Sequence, residues 1–175
     1  TRAYFEGRMT AEETFHADYR HFVGRRVDEM LAVLRVSKAW TPGIREAFDR
    51  LHAAGLRVVV TTDQPDFLAG VTQELFGVDA LACTPADVRN GRVAGTYDYR
   101  GDKWENLSRL LRAWKVDPRE VSHVGNGSND VPVFRQVGWS GAAFAMNDEV
   151  RRGATVDLGK PEDMREVAEA VLRAG

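Results

Sequence analysis

The chain is predicted to be α/β, a doubly wound parallel sheet with a small helical region in front of it. Three observations predict this. Residues 1–40 carry apolar positions at helical spacing and no alternating pattern. From residue 41 onward, helices and short apolar strands alternate. The strands, such as Leu56 to Thr61 and Val121 to Val124, are runs of the kind buried on both faces of a parallel sheet. Strands separated by helices of about ten residues make βαβ units. The chain is therefore divided into a helical region over 1–40 and an α/β core over 41–175.

Each element has its own signal. Thr10 followed by Glu13 is a capping-box pattern. Val27, Met30, Leu31 and Leu34 recur at helical spacing, so 1–40 reads as helical throughout. Thr41-Pro42-Gly43 opens a helix that carries Ile44, Phe48 and Leu51 and ends at Gly55. A strand follows over 56–61, a helix over 66–76 and a short strand from Ala80 to Cys83. Asn90-Gly91, flanked by Val88 and Val93, predicts a hairpin. A helix over 102–115 stops at Asp117-Pro118, and the strand Val121 to Val124 runs into Gly125-Asn126-Gly127. Further strands are expected at 142–146 and 154–158, and a last helix at 161–173.

Composition bounds the function. The 24 Lys and Arg residues against 26 Asp and Glu give a formal net charge of −2. That balance argues against nucleic acid or an anionic membrane as the partner. With 43% apolar and 29% charged residues the chain can build and solvate a core. The longest apolar runs are far too short to span a bilayer. A single cysteine, Cys83, excludes an internal disulfide and fits a reducing compartment. The first ten residues do not read as a signal peptide, so a cytoplasmic location is expected. His21, His52 and His123 show no metal-ligand spacing, and His123 reads as a packed strand residue. Zinc and nucleotide cofactors find no support.

Three segments fall at or near the C-terminal ends of predicted strands, where open α/β sheets bind ligands. Thr61-Thr62-Asp63 follows the first strand; its hydroxyl and backbone N–H groups suit a phosphate, or Thr62 merely caps the next helix. Lys103, in the first turn of its helix, works against the helix dipole and calls for an anion, unless it is a solvated surface lysine. Gly125-Asn126-Gly127-Ser128-Asn129-Asp130 joins a buried strand to a helix through a tight turn, with Asn129 and Asp130 at the top of that helix aimed at the sheet edge.

In this order the three segments resemble motifs II, III and IV of the haloacid dehalogenase superfamily, and among its members the phosphoserine-phosphatase type. Phe5 to Thr10 is similar to the cap segment of that type, Thr41-Pro42-Gly43 to the return into the core, and Asp87 to Arg92 to its hairpin. The resemblance implies a hydrolase that acts on a small phosphorylated metabolite through an aspartyl-phosphate, with Mg²⁺ and fixed donors neutralising phosphoryl charge. It implies catalytic roles for Thr62, Lys103 and Asp130, phosphate or substrate contacts from Thr62, Asp63 and Asn129, and a metal site at Asn126 and Asp130. The helices of 1–40 become a cap that closes over the site. A monomer or homodimer is expected.

Three departures shape the expectation. No Asp-x-Asp followed by Thr or Val at the end of an apolar strand occurs in the chain. Motif I and the central first strand are therefore expected upstream of Thr1. Asn126 stands where the family has an acid, which should weaken Mg²⁺. Where the cap would grip a substrate carboxylate with Arg, the chain has His16, with Arg20 four positions on. The alternative reading is a catalytically impaired pseudophosphatase that binds a phosphorylated ligand or protein. A third is a phosphotransferase with an alcohol acceptor.

Overall fold

The computed structural model describes residues 8–37, 40–97 and 102–175, so Phe5 to Gly7 and Gly101 lie outside the described residues. In chain order the first elements are α1 (Ala11–Tyr19), α2 (Val27–Ser37), α3 (Ile44–Ala53), β1 (Val59–Pro65), α4 (Asp66–Phe76) and β2 (Ala80–Thr84). The hairpin strands β3 (Ala86–Arg89) and β4 (Arg92–Tyr97) lead to α5 (Lys103–Trp114) and β5 (Ser122–Gly125). Then come α6 (Val131–Phe134), β6 (Trp139–Ala143), α7 (Asp148–Gly153), β7 (Val156–Gly159) and α8 (Met164–Ala174). Two compact units are interleaved along the chain. One comprises Thr1–Ala39 and Val59–Asn106, the other Trp40–Val58 and Leu107–Gly175.

The first unit begins with the predicted capping box. Thr10 Oγ1 accepts the Glu13 N–H (3.1 Å) and the Thr10 N–H donates to Glu13 Oε2 (2.8 Å). Phe15 and Tyr19 stack at 5.6 Å on the buried face of α1 and pack with Val93 of β4. The reading of 1–40 as helical throughout needs correction, because residues 20–26 form a turn. The edge of the hairpin takes up its backbone groups. The Gly24 N–H donates to Val93 O (2.8 Å), the Val93 N–H to Arg25 O (3.0 Å) and the Val27 N–H to Gly91 O (2.9 Å). The hairpin itself is as predicted, with Asn90 and Gly91 at φ +51° and +72°, as a type I′ turn requires. The Arg35 guanidinium meets Glu74 through two hydrogen bonds of 3.1 and 2.6 Å, joining α2 to α4.

Strand β1 pairs in parallel with β2 and is connected to it by α4. It starts later than the predicted 56–61 strand and runs further. Leu56 is 43% exposed, so the apolar run is not core throughout. The register breaks between Thr61 and Pro65. Thr62 and Asp63 therefore lie in the irregular second half of the strand rather than after it.

In the second unit β5, β6 and β7 form a parallel sheet in that order, with α6 and α7 as the connections. Val131, Phe134, Ala142 and Val150 make its buried cluster. Helices α3 and α8 pack together, burying Ala47, Val167 and Ala168, with Arg50 2.7 Å from Glu169. Gly43, at φ +71°, begins α3 where a Cβ would overlap the Asp163 carboxyl. Asp163 in turn caps α8 by accepting the Arg165 N–H (2.8 Å), which starts that helix later than the expected 161. The strand expected at 142–146 is displaced to Trp139–Ala143, because Phe144 turns the chain at φ +54°. The strand expected at 154–158 is displaced to Val156–Gly159. Among the described residues β1 and β5 each have a strand neighbour on one side.

Phe134 is 5% exposed within the cluster of the second unit. Phe134→Ala is expected to cost about 3–5 kcal/mol, read as a lowered urea midpoint in equilibrium unfolding.

Candidate functional site

The turn Gly125–Asp130 is built around one carboxylate. Asp130 is 1% exposed, and its Oδ2 accepts the N–H groups of Asn126 (3.0 Å) and Gly127 (2.9 Å). Its Oδ1 lies 2.9 Å from Nε2 of His123, itself only 7% exposed. The two glycines follow from this geometry. A Cβ on Gly125 would overlap the Asp130 side chain, and one on Gly127 would press on Asn129 Oδ1. The loop after β6 is stitched alongside. The Met146 N–H donates to Asn126 O (2.9 Å), and Asn147 Nδ2 donates to Ser128 Oγ (3.0 Å) while Asn147 Oδ1 caps α7. Asn126 is exposed and Asn129 half-buried, whereas Asp130 is wholly inside. The turn thus presents amide side chains outward and keeps its charge within.

In the first unit, Thr62 does not cap α4, whose N-cap position is Pro65. Its Oγ1 accepts the Gln64 N–H (3.1 Å), which orients the hydroxyl and leaves its own proton to donate. Asp63, the next residue of β1, is half-buried. Lys103 is the first residue of α5. It is flanked by a capping box that the sequence reading missed: the Glu105 N–H donates to Asp102 Oδ1 (2.9 Å) and the Asp102 N–H to Glu105 Oε2 (2.8 Å). The two acids offset the cost of a cation at a helix N-terminus. His16 is exposed, 3.5 Å from Glu12 one turn earlier on α1, and Arg20 is exposed at the end of that helix. The structure thus gathers Asn126, Asn129 and Asp130 into one turn of the second unit. Thr62, Asp63, Lys103, His16 and Arg20 lie in the first.

Two further ionisable groups define the chemistry. Burial, and secondarily the Asp66 charge, pushes the Cys83 thiol up to about 11, so it is neutral near pH 7 and no nucleophile. His123 is the residue that sequence reasoning missed. Its strand position was legible, but its partner seven positions on was not.

Mg²⁺ takes six oxygen ligands, generally with one or two carboxylates among them. The turn offers the neutral Asn126 amide and an Asp130 carboxylate whose two oxygens already receive hydrogen bonds. Among the described residues no group of three or more His, Cys, Asp or Glu side chains is placed to hold a metal. By themselves these residues do not fit Mg²⁺.

Comparison with known proteins adds the family. The model of the haloacid dehalogenase-like hydrolases matches residues 1–135. The phosphoserine phosphatase of Albidiferax ferrireducens is 24% identical over 169 residues, covering 87% of this chain and 70% of that protein. The ATP-binding subunit of a potassium-transporting ATPase from Deinococcus radiodurans is 31% identical over 149 residues. That match covers 81% of this chain, and the chain spans only 19% of that subunit. A substrate-bound phosphoserine phosphatase structure superimposes with a TM-score of 0.79 at 19% identity, covering 97% of this chain and 81% of that one.

Gly125→Ala forces the Asp130 side chain off the turn and is expected to cost about 1–3 kcal/mol or more. Gly55→Ala, at φ +80° in open space, should cost only the backbone strain of about 1–2 kcal/mol. Only the first should also perturb the amide resonances of Asn126 and Gly127. Alkylation of Cys83 by iodoacetamide at pH 8 is expected to run at least about tenfold slower than that of a free thiol with an ordinary pKa, followed by mass spectrometry.

Proposed function

This chain belongs to the haloacid dehalogenase-like hydrolase family, and from that premise we propose that it is the phosphate-handling part of a phosphomonoester hydrolase acting on a small phosphorylated metabolite. The observation that carries the reading is the Gly125–Asp130 turn. Its backbone is held from within by a buried carboxylate, and Asn126 and Asn129 stand on that held backbone as its polar groups. Preorganised donors of this kind stabilise developing charge without reorganising during the reaction.

In the proposed reaction a carboxylate nucleophile, which the family resemblance assigns to an Asp-x-Asp motif, attacks phosphorus. The bond to the leaving alkoxide breaks, and the alkoxide takes up a proton. Water then attacks the phosphorus of the aspartyl-phosphate, releasing inorganic phosphate and restoring the carboxylate. Thr62 donates its hydroxyl proton to a phosphoryl oxygen and the Asp63 N–H assists. The Lys103 ammonium offsets phosphoryl charge. Asn129 contacts substrate, and Asp130 maintains the turn. The helices of the 1–40 region serve as the cap, with His16 and Arg20 as its polar groups. Any Mg²⁺ would require carboxylates from outside the described residues, with Asn126 contributing an amide oxygen. The exposed, neutral Asn126 also favours a second reading, a pseudophosphatase that holds a phosphorylated ligand without turning it over.

The test uses the full polypeptide encoded by the gene, assayed with p-nitrophenyl phosphate and O-phosphoserine. Release of inorganic phosphate is expected, with kcat/KM falling about 10²-fold in Lys103→Ala and about 10-fold in Thr62→Val. Phosphate binding without turnover would instead establish the pseudophosphatase, and neither binding nor turnover would overturn both. Asn126→Asp adds a carboxylate and is expected to tighten Mg²⁺ binding in calorimetry by about tenfold or more.

A further inference from the structure

We infer that His123 is a positioning residue of the Gly125–Asp130 turn: its imidazole donates Nε2–H to Asp130 Oδ1 and so keeps Oδ2 turned toward the Asn126 and Gly127 N–H groups. The contact is 2.9 Å, between side chains 8% and 1% exposed. The imidazole is packed against the Phe134 ring at 5.7 Å, which fixes its plane. Oδ2 already accepts two backbone N–H groups, and on this inference Oδ1 has the same accepting role, with the ring proton on Nε2. His123 precedes the turn on β5 and Asp130 closes it, so this hydrogen bond ties the two ends of the loop together. If the carboxylate rotated, two backbone N–H groups would lose their acceptor at once. An apolar residue at 123 would fill the strand position but remove the donor from Oδ1, inside a site where lost partners are costly. The bracing of the turn is independent of any reaction; its bearing on phosphoryl transfer, through the placement of Asn126 and Asn129, rests on the phosphatase reading above.

Nitrogen-15 NMR of the chain itself gives the first test. The Nε2–H tautomer of His123 is expected, with a slowly exchanging ring proton. An Nδ1–H tautomer would overturn the inference, because Nε2 could not then donate. Two variants give the second. His123→Gln keeps an N–H near the position of Nε2, and His123→Phe keeps the ring without the donor. Amide exchange at Asn126 and Gly127 is expected to be about tenfold faster in His123→Phe and close to wild type in His123→Gln. The amides of β6 and β7 should be unchanged in both. Equal protection of Asn126 and Gly127 in His123→Phe and wild type would overturn the bracing role. So would a His123→Gln variant that exchanges as fast as His123→Phe. If His123→Phe does not fold, the tautomer and the Gln variant still decide. In the full polypeptide, His123→Phe should lower kcat more than it changes KM, with His123→Gln restoring it. Absence of turnover there would remove the phosphatase reading while leaving the exchange result standing.

Discussion

The two hydrogen bonds from the Asn126 and Gly127 N–H groups to Asp130 Oδ2 determine the shape of the most informative segment in the chain. The Asp130 carboxyl is 1% exposed, and burying it requires partners for its oxygens, which the turn itself and His123 supply. Much else follows from that arrangement. The side chain lies across the backbone of 125–127, which excludes a Cβ at Gly125. The charge is spent inward, so the outward groups of the turn are neutral amides.

The other candidate groups are placed by equally short-range devices. Thr62 is oriented by an N–H two residues away, and Lys103 by a capping box that begins one residue before it. In each case groups within three residues of one another supply these hydrogen bonds. Such placement tolerates variation elsewhere in the fold but not in the local segment. It is also the form of preorganisation that costs least on folding, since few extra rotamers must be ordered.

Much of the architecture was legible in the residues. Asn90-Gly91 located the hairpin, the helix expected over 66–76 is Asp66–Phe76, and the one expected over 102–115 is Lys103–Trp114. The resemblance to haloacid dehalogenase, phosphoserine-phosphatase-like hydrolases is borne out by the family match and by the relatives. The misses have physical causes. Thr62, Asp63 and Gln64 are polar, yet pairing with β2 holds the strand through to Pro65. Trp139, Ser140 and Gly141 lack a strand-like apolar pattern, but they belong to β6, the middle strand of a parallel sheet, and all three pair with β5. The turn over 20–26 exists because the hairpin edge competes for its backbone, a tertiary effect invisible to local pattern. The His123–Asp130 contact joins a strand residue to the far end of the turn that follows it, where the chain folds back and neither helical nor strand periodicity applies.

The interleaving of the two compact units bears on how the chain is made. Neither unit is a continuous stretch: the path passes between them at residues 39–40, 58–59 and 106–107. The Arg50–Glu169 pair, 119 positions apart, ties α3 to α8. On a ribosome, α3 emerges long before this partner exists, so its amphipathic face must wait until α8 has been made. The first unit, whose last residue is Asn106, has all its pieces much earlier. Its aromatic cluster around Phe15, Tyr19 and Val93 is therefore the natural nucleus of an N-to-C order of assembly, with closure of α3 on α8 as the late, slow step.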